Sequence, residues 1–143
     1  MRGFDPRRLE SARHEAGMSR GDLARVADIS TATLARWETG ARSPQIDVLA
    51  KVAQALHVQI ADLVAVPERD RFPGDWRILV GLTQPELGAR AGVSTAMVGA
   101  IERGEARLAD DVAAKLCSVL GVSADELRAA HERARNREPG TPA

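Results

Sequence analysis

Ser30-Thr31-Ala32-Thr33-Leu34-Ala35-Arg36-Trp37-Glu38-Thr39-Gly40 returns 64 residues later as Ser94-Thr95-Ala96-Met97-Val98-Gly99-Ala100-Ile101-Glu102-Arg103-Gly104. Each copy opens on a serine able to cap a helix and sets two apolar residues three apart, Leu34 and Trp37 or Val98 and Ile101. Each closes on a glycine suited to a left-handed C-cap. The likeness spreads outward from there. Arg13–Leu63 aligns without a gap on Arg77–Leu127, with 16 identities in 51 positions, so two copies of one small fold are the economical reading.

The flanking signals predict four more helices per copy. Asp5-Pro6 is an N-cap with proline in the first turn, and that helix should stop at Gly17. Ser19 with Asp22 resembles a capping box, Asp28-Ile29 breaks the chain, and Val48, Leu49, Val52 and Leu56 recur at core spacing. A short helix over Ile60 to Val64 closes the copy. In the second copy Thr83 and Ser123 start helices, Gly92 and Gly104 end them, and Pro73-Gly74 cuts the first helix short. No segment has strand character, so the expected fold class is all-α: two consecutive five-helix domains. Their expected bounds are 1–66 and 75–135, with a Pro- and charge-rich linker over 67–74 and a disordered tail over 136–143.

Composition narrows the function classes. Aromatics are only 3%, which suits small helical cores better than a β-sandwich. Twenty Lys plus Arg balance twenty Asp plus Glu, so the charge sum gives no support for a nucleic-acid partner, although a local patch suffices to hold phosphates. One cysteine, Cys117, excludes an internal disulfide framework, and the expectation for it is a buried, inert thiol. His14, His57 and His131 lack metal-ligand spacing and are expected at the surface; no metal and no cofactor are inferred. No nucleophile–base pair or phosphate loop argues for an enzyme. The apolar run Ile78–Leu82 is too short to cross a membrane, and with no signal-peptide pattern a cytoplasmic protein is expected. Trp37 and Trp76 read as packing residues. The last helix, with Arg128, Glu132, Arg133 and Arg135, reads as a solvated face whose stripe Leu127, Ala130 and Ala134 could support a homodimer.

Together these residues resemble the lambda-repressor-like, or XRE-type, helix-turn-helix family. The likeness rests on Arg13…Gly17-Met18-Ser19…Leu23-Ala24…Ala27-Asp28-Ile29-Ser30…Leu34…Trp37-Glu38-Thr39-Gly40…Pro44 and on Arg77…Gly81-Leu82-Thr83-Gln84…Leu87-Gly88…Ala91-Gly92-Val93-Ser94…Val98…Ile101-Glu102-Arg103-Gly104. It covers almost the whole chain. The resemblance implies a structural ion pair in each copy, Arg13 with Glu38 and Arg77 with Glu102. It implies base contacts from Ser30, Thr31, Ala32 and Arg36, and from Ser94, Thr95, Ala96 and Ala100. Arg36 has the fork that fits a guanine edge. It further implies phosphate contacts from Ser19, Arg20, Arg42 and Ser43, and from Thr83, Gln84, Arg103 and Arg107.

The function expected is therefore that of a sequence-specific regulator on double-stranded DNA, with no membrane and no small-molecule ligand inferred. The other reading is a protein-interaction module, an antitoxin or co-regulator, whose second copy holds a protein partner, since that copy offers no long donor for bases.

Overall fold

Asp5 accepts a hydrogen bond from the Arg7 N–H at 2.9 Å and Pro6 fills the first helical position, so α1 (Pro6–Glu15) begins where its orphan donors are satisfied. The computed structural model describes all 143 residues and divides them into two units, Met1–Ala65 and Val66–Ala143. In the first unit α1 is followed by α2 (Arg20–Ala27), α3 (Thr31–Glu38), α4 (Ile46–Ala55) and α5 (Ile60–Leu63). Ser19 and Asp22 form a reciprocal capping box on α2, and Ser30 Oγ accepts from the Thr33 N–H to start α3. The core is aliphatic: Leu9, Leu23, Leu34, Leu49, Val52 and Leu63 are all wholly buried. Each contributes roughly 1.5–3 kcal/mol of apolar burial. One isolated antiparallel bridge joins Phe4 to Val64, and there is no sheet.

The second unit repeats the plan as α6 (Pro73–Leu79), α7 (Gln84–Ala91), α8 (Thr95–Glu102), α9 (Asp110–Leu120) and α10 (Ala124–Arg135). Capping boxes on Thr83–Glu86 and Ser123–Glu126 open α7 and α10, and their hydrogen bonds hold both glutamates below the ordinary carboxylate range. As the sequence predicts, α6 is short. It starts at Pro73, three residues later than the repeat of α1 would.

The expected dimer stripe of the last helix is corrected here, while Glu132 and Arg135 are exposed and Arg128 and Arg133 half-exposed. Leu127, Ala130 and Ala134 are completely buried inside their own unit, where α10 packs on α6, α8 and α9. His131, expected at the surface, is buried as well, and its Nε2 lies 2.8 Å from the Ala106 carbonyl oxygen. The cause is a substitution of one element for another. In the first unit a Cβ on Gly40 would meet Pro6, in the first turn of α1, at 3.7 Å. At the equivalent Gly104, a Cβ would lie 2.6 Å from the Arg135 backbone. The last turn of α10 therefore fills the flank that the shortened α6 leaves vacant.

The stretch expected as a linker, 67–74, lies within the second unit, where it holds a 3-10 turn (Glu68–Asp70) and the start of α6. Arg71 is stacked over the Trp76 ring at 4.4 Å, and Arg133 donates to the Arg71 and Glu68 carbonyls. Those contacts fix a segment whose composition alone reads as loop. In the expected tail, Arg137 donates to the carbonyls of Arg103 and Ala134. No helix is long and apolar enough to cross a membrane.

Candidate nucleic-acid interface

Behind α3 stands a buried charge pair. Arg13 Nε and Nη2 donate to the two Glu38 carboxylate oxygens at 2.5 and 3.2 Å, and Arg13 Nη1 donates to the Met18 carbonyl at 2.9 Å. One guanidinium thus ties α1 to the end of α3 and to the turn before α2. The second unit repeats this with Arg77 on Glu102 at 2.6 and 3.1 Å and on the Leu82 carbonyl at 2.8 Å. Burial pushes the Glu38 carboxyl up, but hydrogen bonds from Arg13 and Arg20 outweigh it and hold the group below the ordinary carboxylate range. The same bond to Glu38 raises the Arg13 guanidinium further.

A third partner sits at the start of the second helix of each unit. Arg20 Nε donates to Glu38 Oε2 at 2.5 Å, and its repeat counterpart Gln84 donates Nε2–H to Glu102 Oε2 at 2.8 Å. Both were expected as phosphate contacts; both are tied back to the buried carboxylate, with Arg20 still two-fifths exposed. The spacing signal for this third member was present, since positions 20 and 84 repeat at the common offset.

The faces in front of these anchors differ. On α3, Thr31, Ala32 and Arg36 are exposed, and Arg36 has no carboxylate partner. On α8, Thr95, Ala96 and Met97 are exposed, while Ala100 is half-buried. Ser30 and Ser94 are exposed, but each hydroxyl is engaged as an N-cap, accepting from the Thr33 or Met97 N–H. Ser19 and Thr83 are engaged in the same way by Asp22 and Glu86.

Arg42 and Ser43 follow α3 as exposed residues. After α8, Arg103 pairs with Glu105 at 2.9 Å, and Arg107 is exposed. A Cβ on Gly99 would come within 2.9 Å of Arg103 Nη1 and 3.5 Å of Gln84 Oε1. The missing side chain at 99 therefore brings Arg103 and Gln84 together over α8. Gly88 acts likewise at the turn between α7 and α8, where a Cβ would lie 2.5 Å from the Val93 carbonyl oxygen. Cys117 is half-buried, and desolvation raises its thiol.

Sequence reading missed three residues that hold the loop after α8. Arg128 Nη1 donates to the Leu108 carbonyl, His131 meets Ala106, and Arg137 donates to Arg103. Arg128 and His131 are spaced i, i+3, so their shared helix face was legible, whereas Arg137 lies past the end of α10.

A family model described as helix-turn-helix matches residues 9–63 and again residues 75–127. Comparisons with curated proteins and with solved structures gave no match.

Proposed function

Since the chain belongs, through both halves, to the helix-turn-helix family of DNA-binding regulators, we propose that it is a sequence-specific regulator with divided labour. Unit one reads bases in the major groove through α3, and unit two chiefly holds the phosphate backbone. The observation that carries this is the contrast between α3 and α8. Both are pinned from behind by a buried Arg–Glu pair, yet only α3 presents an exposed, unpaired arginine on its outer face. Arg36 reads a guanine by two parallel hydrogen bonds, with methyl contact to thymine from Thr31 or Ala32. Arg42, Ser43, Arg103 and Arg107 approach phosphates from the loops that follow the two helices.

Selection from randomised duplex DNA at two salt concentrations tests this. Arg36→Ala should relax preference at particular positions by about 1–3 kcal/mol. Arg103→Ala should weaken all sequences alike and lower the salt slope by about one. Failure of the full chain to enrich any motif would sink the base-reading proposal.

One observation favours a protein partner on unit two instead: Met97 is 40% exposed in the first turn of α8. In that case Met97→Lys abolishes partner capture and leaves the selected DNA motif unchanged.

A further inference from the structure

The loop after α8 and the outer face of α10 border an open cavity of about 310 Å³ lined by Arg107, Leu108, Asp110, Arg128, His131 and Arg135. Two of its walls are fixed. Arg128 is anchored to the Leu108 carbonyl at 3.0 Å and to the Asp110 carboxylate, and His131 is anchored to Ala106 at 2.8 Å. Asp110 is the one carboxylate in the lining, and Arg128 takes it. Arg107 and Arg135 are exposed at the rim and pair with no acid. The unit as a whole has twelve Asp and Glu against eleven Lys and Arg, so three guanidiniums around one hollow are a local excess of positive charge. An anion in the hollow would be attracted by all three guanidiniums, whose planar forks match phosphate oxygens two at a time.

We infer that this cavity binds a phosphoryl group, with Arg107 and Arg135 as its free donors and Arg128 as its fixed one. The first unit has no counterpart, because α5 ends after four residues where α10 runs for twelve. The phosphoryl group can come from the DNA backbone or from a small phosphomonoester. The DNA route rests on the proposed function; the free-ester route does not.

The full chain is titrated with inorganic phosphate, followed by phosphorus NMR, and its affinity for duplex DNA is measured across a salt series. Both are repeated with the double variant Arg107→Gln/Arg135→Gln and with a control pair, Arg90→Gln/Lys115→Gln, which removes the same charge from exposed sites elsewhere in the unit. All four side chains are exposed, so circular dichroism should stay unchanged. A small-ester site gives saturable phosphate binding that weakens at least about tenfold in the double variant alone, with the salt slope intact. A backbone site lowers the salt slope by about two units in the double variant alone; a fall of only about one, the share of Arg107 by itself, with no phosphate binding overturns the inference. The inference is overturned if neither quantity changes, or if the control pair changes them equally. A chain that binds phosphate here but no DNA would overturn the function proposed above and leave this site standing.

Discussion

Helices α3 and α8 share their serine caps, their exposed first turn and their buried glutamate, keep an apolar inner face, and differ at the outward arginine. Ser30, Thr31, Ala32, Glu38 and Gly40 recur as Ser94, Thr95, Ala96, Glu102 and Gly104, while Ala35-Arg36 becomes Gly99-Ala100. The buried side of each helix holds its place through packing and one ion pair, so its outer side is free to vary without loss of fold. In the second unit the positive charge has moved off the helix and onto its surroundings: Arg103 and Arg107 in the loop, Arg128 and Arg135 on α10. A helix that presents no long donor then remains useful as a rigid mount for the donors around it. Holding and reading are thus carried by different residues, and the holding pairs are the first to test.

The largest expected effect concerns the two ion pairs. Removing Arg77 leaves Glu102, nine-tenths buried, with only the neutral amide of Gln84. Arg77→Met should cost about 3–5 kcal/mol. Removing Arg13 leaves Glu38 with the charged Arg20, so Arg13→Met should cost less by about 1.5 kcal/mol, the worth of a charge-assisted hydrogen bond. Each unit has one tryptophan, Trp37 or Trp76, so denaturation followed by fluorescence in Trp76→Phe or Trp37→Phe backgrounds reads the two separately. Equal costs would mean that Arg20 gives Glu38 no more than Gln84 gives Glu102. Acid does to Glu38 what substitution does to its partner. Its folded carboxyl is held below the unfolded value of about 4.3, so the stability it adds is complete above that pH and is lost as pH falls through the lowered folded value. A pH series on wild type and Arg13→Met should therefore show two curves that converge below about pH 4.

The second effect separates two glycines that the sequence presents as equal. Gly40 and Gly104 both have positive φ, +75° and +71°. Gly40→Ala should cost only the strain of an L-residue in that region, about 1–2 kcal/mol, since its nearest neighbour is a proline side chain at 3.7 Å. Gly104→Ala adds a collision with the α10 backbone at 2.6 Å and should cost about 1–3 kcal/mol more. Thermal melts of the two single variants measure the gap. Equal shifts would show that the last turn of α10 yields at little cost.

That pair of glycines also marks the limit of what was legible in the sequence. Caps, breaks and core spacing are local signals, and they located all ten helices, whereas the two Arg–Glu pairs, 25 residues apart, came from the family resemblance. The burial of α10 was not local. Leu127, Ala130 and Ala134 make a thin stripe that serves an interface or a core equally well, and only the vacancy beside the shortened α6 decides between them. His131 went unread for the same reason, because its partner carbonyl lies 25 residues away in an irregular loop. The segment 67–74 carries linker composition, and what orders it is Trp76 together with Arg133, which arrives from 62 residues away, beyond any window of sequence.

The smallest effect tests whether the first unit carries strain that the second has shed. Asp28 and His57 adopt left-handed φ of 56° and 54°, and the repeat places Gly92 and Gly121 at the same two positions, each at 69°. A Cβ in that region crowds the following carbonyl, whereas glycine enters it freely and gives up more entropy from the unfolded chain. The two terms oppose, and the side chain decides the balance. Aspartate reaches left-handed geometry with little penalty because its short carboxylate can bond locally, so Asp28→Gly should be nearly neutral. The imidazole of His57 is exposed and makes no hydrogen bond that holds it there, so the strain is uncompensated. His57→Gly should stabilise the first unit by about 0.5–1 kcal/mol. The reverse change, Gly121→His, should destabilise the second by a similar amount, measured by denaturant midpoints in the same single-tryptophan backgrounds. If His57→Gly destabilises instead, the left-handed turn after α4 is held by the histidine and the two units end their fourth helices by different means.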